Sequence, residues 1–265
     1  MIIRSIKYIV VVLMLTVMAA CQKVVDLKLD SAASQIVIEG NFTNIRSAQT
    51  VTISRSVPFS NTDNFPAVSG AKVTIQENKG TIYTLTESTI PGTYTVNNIS
   101  GKPGSTYTLT VQVDGKTYTA VSAMPQTVSF GPISFNNDVF NKASKAVTVH
   151  FTDPAGVVNQ YHFVLYVNGT QIKNIYVSDD TFTDGGTVDL SLYQNDVTIK
   201  NADQVIVDDQ GIDRNMFYYW FSLSQQQGNG IANGAAPSNP PSNISGGALG
   251  YFSAHTSVIQ TTVVR

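Results

Sequence analysis

Residues 107–123 read YTLTVQVDGKTYTAVSA. Tyr107, Leu109, Val111 and Val113 alternate with Thr108, Thr110 and Gln112, and the alternation resumes at Tyr118, Ala120 and Ser122. A period of two puts the apolar side chains on one face of a strand. Between the runs stands Asp114-Gly115. This pair tolerates the two positive φ angles of a type I′ turn, which joins strands whose right-handed twist it matches. The stretch is therefore an antiparallel hairpin with one buried face.

Upstream, Gln35–Phe42, Thr50–Arg55, Ala71–Gln76 and Thr81–Thr86 read as strands of the same kind. A polar stretch over 56–70 forms a long loop, and Pro91-Gly92 and Lys102-Pro103-Gly104 punctuate the remainder. About seven short strands at this spacing predict an N-terminal immunoglobulin-like antiparallel sandwich over residues 35–125. The paired Cys and core Trp of antibody domains are missing, so only the architecture is implied.

Met124-Pro125 ends the last of these strands. Residues 126–265 then predict a second antiparallel β domain, opened by 126–135 and with strands over 146–152, 160–167, 170–177, 187–192, 204–208 and 251–257. Asn168-Gly169 is another tight hairpin turn. Asp213–Gln227 breaks the pattern, because Met216, Phe217, Trp220, Phe221 and Leu223 fall at helical spacing. One helix is expected near 213–227, with Asp213 as N-cap, Gly228 as C-cap and its aromatic face on the second sheet. A Pro/Gly-rich loop follows over 228–247.

The chain has 265 residues, 42% apolar and only 13% charged, with a net charge of −2. That length is ample for a core. The weak charge excludes nucleic-acid binding through a basic surface. A single cysteine, Cys21, excludes an intrachain disulfide framework and any Cys-rich metal centre.

Residues 1–20 have the features of a signal peptide. Arg4 and Lys7 form a positive start, Tyr8–Val17 is apolar but for Thr16, and Met18-Ala19-Ala20 precedes Cys21. The apolar run is too short to span a bilayer comfortably. Small residues before a Cys resemble the bacterial lipoprotein signal, in which that Cys is acylated and becomes the first residue. Several acyl chains on Cys21 exceed what stable anchoring needs. Cleavage removes Arg4 and Lys7, leaving 14 basic and 18 acidic residues, a net of −4. Gln22 follows, not the Asp that retains some lipoproteins in the inner membrane, so an outer-membrane location is expected. Residues 21–34 then form an acylated tether. Asp30-Ser31-Ala32 is a weak match to a bacterial O-glycosylation site at Ser31, and the Asn-x-Ser/Thr matches at Asn41, Asn98, Asn168 and Asn243 are coincidental in such a protein.

Five stretches, taken together, resemble a Bacteroidota outer-membrane lipoprotein family carrying a domain of unknown function. They are 21–26 (CQKVVD), 37–40 (VIEG), 68–73 (VSGAKV), the 107–119 hairpin, and 239–244 (NPPSNI) with 246–252 (GGALGYF). The resemblance implies an outer-membrane lipoprotein, often encoded beside a TonB-dependent receptor, itself a candidate partner; a surface-facing position is expected over a periplasmic one. It brings no catalytic residues with it. The acidic cluster usual after the Cys is thin here.

Candidate chemistry is sparse. A hairpin centred on 154–157 would set His150 opposite His162, within reach of one metal ion; two structural strand histidines are the plainer reading. Asp179, Asp180 and Asp184, and Asp208, Asp209 and Asp213, lack the spacing of a calcium loop. There is no Gly-x-Ser-x-Gly elbow and no phosphate-binding loop. No cofactor and no metal are expected. The best candidate surface for a ligand or partner combines Tyr218, Tyr219 and Trp220 with Pro240, Pro241 and Asn243. The expected function is non-enzymatic, as an accessory or ligand-capture partner of a TonB-dependent transporter. The alternatives are a structural adhesin or matrix component, and a hydrolase with an unrecognised site.

Overall fold

The structure, a computed structural model, describes residues 34–58, 65–78, 80–227 and 239–265. The signal peptide, Cys21, Ser31, the tether up to Ala33 and the expected C-cap Gly228 lie outside the described residues. Ser34–Arg265 forms one compact unit. No helix among the described residues is long and apolar enough to cross a membrane.

The first seven strands are β1 (Ile36–Thr43), β2 (Ser47–Arg55), β3 (Lys72–Glu77), β4 (Ile82–Glu87), β5 (Thr93–Ile99), β6 (Thr106–Val113) and β7 (Lys116–Ala123). They form an immunoglobulin-like sandwich. β1, β2 and β5 make one layer and β3, β6 and β7 the other. β4 passes between the layers: Ile82–Leu85 pair with β3, while Thr86 and Glu87 pair with β5. The alternation seen in sequence becomes the core, with Ile38, Phe42, Val51, Ile53, Ile75, Tyr94, Tyr107, Leu109 and Val111 at most 1% exposed. Phe42 and Tyr107 rings pack 4.7 Å apart. The deciding hairpin has the expected register, Val113 opposite Lys116, and Asp114 and Gly115 take φ of 51° and 71°.

The second part holds β8 (Ser134–Asn137), β9 (Lys145–Thr152), β10 (Gln160–Val167), β11 (Thr170–Gln171), β12 (Tyr176–Asp179), β13 (Thr187–Leu192), β14 (Gln204–Ile212), the helix α1 (Arg214–Gln227) and β15 (Leu249–Val263). A small sheet β13-β9-β8 faces the larger one containing β10, β14 and β15. Between them Phe130, Phe151, Tyr161 and Phe163 cluster with ring centroids 4.7–6.3 Å apart. The strand expected over 170–177 is two short pieces, β11 and β12, both paired to β10.

Two expectations need correction. β9 and β10 are not a hairpin. The Asp153–Gly156 turn continues through Val157, Val158 and Asn159, and this longer connection carries the chain from the small sheet to the large one. β9 pairs with β13 and β8, whereas β10 pairs with β14, β11 and β12. His150 and His162 thus lie in different sheets.

The closing strand is also much longer than Tyr251–Ser257. Its first half runs parallel to β1, with Val37 opposite Leu249 and Thr43 opposite His255. Its second half runs antiparallel to β14, from Gly211–Thr256 to Gln204–Val263. β15 therefore joins the sheets of both parts. Phe252 and Ala254 sit in the first core, and Val264 just beyond the strand sits in the second. The approach at its start is close. Gly250 has φ +90°, and a Cβ there would overlap the Ile38 carbonyl.

Candidate functional site

α1 brings the aromatic run to the seam made by β15. Five consecutive aromatics on a helix point in different directions, about 100° apart. Tyr219 is buried with Met216, Ile212 and Tyr251, and its ring lies 5.0 Å from that of Tyr251. Trp220, half-buried, also meets Tyr251 at 5.0 Å and stacks on His162 at 4.7 Å and 9°. Tyr218 and Phe221 face solvent, at 49% and 43% exposure. Tyr219 and Trp220 thus hold the helix to the sheet, and Tyr218 is left on the open side.

Asp213 fixes the start of α1. Its Oδ1 accepts the Met216 amide at 3.0 Å, the N-cap bond expected from sequence. Its Oδ2 accepts the Ser122 hydroxyl at 2.6 Å and the Ala123 amide at 3.1 Å. The Ser122 oxygen in turn accepts the Ala254 amide at 2.9 Å. One carboxylate therefore caps the helix and ties it to β7. Asp213→Ala removes the cap and leaves Ser122 without its acceptor, and should cost about 2–3 kcal/mol, measured as a lowered urea midpoint.

The third wall is the segment before β15. Asn243 mimics a strand partner: its amide donates to the Phe252 carbonyl at 2.7 Å, and its oxygen accepts the Phe252 amide at 2.9 Å. The Ser242 hydroxyl donates to the Gly250 carbonyl at 2.7 Å. Ile244 bridges to Ala120, the Ser245 amide donates to the Thr119 carbonyl at 2.8 Å, and the Thr119 amide donates to the Ser245 hydroxyl at 3.1 Å.

These walls enclose a groove of about 690 Å³. Tyr218, Asn215 and Ser222 line it from α1, Thr119, Ala120 and Val121 from β7, and Pro241, Ser242, Asn243 and Ser245 from the loop. Of the six residues expected to form a ligand or partner surface, Tyr218, Pro241 and Asn243 meet here. Tyr219 and Trp220 lie behind it, and Pro240 does not line it. Thr119–Val121 and Asn215 carried no signal in sequence, since β7 reads as ordinary sandwich.

Under Trp220 lies a closed polar network. His162 Nδ1 lies 2.9 Å from Gln210 Oε1, and the Gln210 amide donates to Asp208 at 2.6 Å. With its amide committed to Asp208, Gln210 accepts, so we assign the proton to His162 Nδ1. The Ser257 hydroxyl donates to Asp208, and His255 Nδ1 lies 3.0 Å from the Ser253 hydroxyl. Burial lowers the His162 pKa to about 4, against the Gln210 hydrogen bond, which favours the charged ring. Burial likewise lowers His255, against the pull of Asp208. Both rings are thus neutral at pH 7 and closed off from solvent.

The other candidates disperse. His150 sits on β9 between Asp189, 2.5 Å from Nδ1, and Ser134, 2.7 Å from Nε2. Asp179, Asp180 and Asp184 accept loop amides from Thr181, Asn159 and Gly156. Asp208 and Asp209, adjacent on β14, point to opposite faces. Among the described residues no three His, Cys, Asp or Glu side chains gather as a metal site.

A two-domain fibronectin type III segment from chicken tenascin is similar over 88% of this chain and 99% of that one, at 13% identity and a TM-score of 0.23. Among curated proteins, no match to this sequence was found. Residues 22–261 match the family described as Domain of unknown function (DUF4249), and the match takes in the sandwich, the helix and nearly all of β15. The chain belongs to that family.

Proposed function

We propose that this protein is a lipid-anchored outer-membrane protein, held through Cys21, that captures a ligand or partner in the groove between α1, β7 and the 241–245 loop without chemically converting it. The groove carries this reading. Among the described residues its lining holds hydroxyls, amides, aliphatic groups and one half-exposed aromatic ring, and no carboxylate, imidazole, amine or thiol. General acid–base and nucleophilic chemistry need such groups within hydrogen-bond reach of a substrate. His162 and His255 are buried, His162 beneath Trp220 of the helix, and neither lines the groove. An apolar surface with a few fixed polar groups suits recognition.

The finer reading is an accessory of a TonB-dependent transporter. A lipid anchor confines the protein to the membrane plane and raises its effective concentration beside such a receptor. Support comes from the signal-like residues 1–20 ahead of Cys21 and from the sequence resemblance that places such proteins beside these receptors.

Two measurements test it. Cys21→Ser should move the protein from the membrane fraction to the soluble fraction and abolish acyl labelling; unchanged partitioning refutes the anchor. Gentle solubilisation of membranes should bring down a TonB-dependent receptor with the tagged protein, and Tyr218→Ala should reduce that recovery about tenfold while leaving the thermal midpoint unchanged, as expected for an exposed aromatic anchor. A normal yield of receptor with Tyr218→Ala removes the groove from the interaction. Intact nutrient uptake with lost surface attachment in a deletion strain points instead to a structural adhesin.

A further inference from the structure

β15 leaves an open sheet edge. Its residues up to His255 are covered by β1. Beyond that, β14 covers one side only, and among the described residues no strand covers the other. The Ser257 amide donates to the Asn44 side chain at 2.7 Å, on the side away from β14. Alternation along the strand then directs the backbone N–H and C=O of Ile259, Thr261 and Val263 the same way. Thr261 is exposed, and Ile259 and Val263 are 57% and 50% exposed.

Open edges are normally blunted by charge, proline or a covering loop. Two other edges here are. β7 is covered at Thr119 by Ser245 and at Ala123 by Asp213. β13 carries Asp189. Residues 257–263 (SVIQTTV) contain no charge, no proline and no glycine.

We propose that this edge pairs with the same edge of a second copy, antiparallel about a two-fold axis at Thr261. The register is self-complementary. Thr261 faces Thr261 of the other copy, and Ile259 faces Val263 in both directions, so each contact is β-branched on β-branched, a favourable cross-strand combination. Strands of unlike charge are not needed, and two uncharged edges do not repel. The same register brings Arg265 of one copy beside Ser257 of the other, where Ser257 is bonded to Asp208. Arg265 is exposed and has no ion pair among the described residues. The dimer thus supplies a cation to a carboxylate that has none among the described residues.

The register can be read chemically in the full-length protein, purified from membranes in mild detergent. Residues directly opposite in a hydrogen-bonded antiparallel pair have Cα atoms about 5.5 Å apart, within disulfide reach. Thr261→Cys should therefore give a disulfide dimer on mild oxidation. Ile259→Cys should not, because its own counterpart lies two residue pairs from the axis on each strand. The unsubstituted chain, whose Cys21 sulfur carries the lipid under the proposed function, sets the background. Thr261→Pro should yield a monomer by light scattering with an unchanged far-ultraviolet circular dichroism spectrum, since the Thr261 N–H makes no bond to β14. If Thr261→Pro does not fold, the two cysteine variants decide alone. Equal cross-linking of Thr261→Cys and Ile259→Cys, no cross-linking of either, a folded Thr261→Pro that remains dimeric, or cross-linking of Thr261→Cys to a different polypeptide in place of its own copy would each overturn the proposal.

Discussion

Gly250→Val should remove about 4 kcal/mol or more of the stability of the parent chain. Gly250 combines φ +90° with a β1 backbone so close that any Cβ overlaps the Ile38 carbonyl. A β-branched residue meets both obstacles. The left-handed backbone costs about 1–2 kcal/mol by itself. Relieving the overlap requires β15 to leave β1, which exposes Phe252, a side chain with no solvent exposure in the first core. Losing that burial adds about 2–3 kcal/mol. The total, about 4 kcal/mol or more, is a large part of the stability of an ordinary domain. Gly247→Ala is the matched control, for Gly247 has φ +79° but, among the described residues, nothing within 4 Å of the position a Cβ would take. It should cost only about 1 kcal/mol. Thermal unfolding followed by far- and near-ultraviolet circular dichroism measures both. A Gly250→Val protein within about 1 kcal/mol of the parent would mean that β15 does not pair with β1 in this register.

Asp209→Asn should stabilise the protein by about 3 kcal/mol at pH 8 and by much less at pH 4.5. Asp209 is fully buried on β14, one oxygen held by Gln260 at 2.8 Å and the other without a partner among the described residues. Burial raises its pKa to about 7, with Asp208 adding to the effect and the Gln260 hydrogen bond opposing it. The unfolded chain releases this proton near pH 4. Between pH 4 and 7 folding therefore takes up a proton, and stability falls as pH rises through that window. Three pH units at about 1.4 kcal/mol each bound the penalty at roughly 4 kcal/mol. Asparagine keeps the acceptor for Gln260 and has no charge to bury.

The histidines act with the opposite sign. His162 titrates near pH 4 in the folded protein against about 6.5 unfolded, so its contribution is complete above pH 6.5 and is lost as pH falls towards 4. His255 shifts in the same direction. In the parent chain Asp209 offsets one histidine over pH 4–6.5, so the stability curve there is shallower than the two histidines alone would make it. In Asp209→Asn the histidine slope stands uncompensated. Urea midpoints across pH 4.5–8 would reveal this steepening, and equal stabilisation at both ends would show that Asp209 is not held neutral by the fold.

The sandwich was legible because each of its strands has one wet face. Tyr107–Val113 alternates since one side meets the core and the other water, and Asp114-Gly115 and Asn168-Gly169 are turns that few other pairs could make. α1 was legible from its spacing and from Asp213. β15 was only half legible. From Gly250 to Ser257 every residue is buried, because the strand has a core on one face and α1 or β7 on the other, and such strands lose alternation. The misplaced β9–β10 hairpin has a related cause. A turn sequence reports a change of direction, while the neighbour a strand finds afterwards depends on which sheet the loop reaches. The groove was legible in part: Tyr218, Pro241 and Asn243 announce themselves as an aromatic or loop residues, but Thr119–Val121 become lining only because a segment more than 100 residues later settles beside them.

Because β15 is a member of both sheets, the order of synthesis and the order of assembly conflict. Val37 waits for Leu249, 212 residues later. At about 5–20 residues per second, that interval is roughly 10–40 s of translation. Throughout it the edge of β1 has no neighbour, and a strand edge waiting in a nascent chain invites wrong pairings. Contacts this distant in sequence also slow folding. A chain built this way benefits from remaining extended until its last strand is available, as threading unfolded through a narrow export channel would enforce.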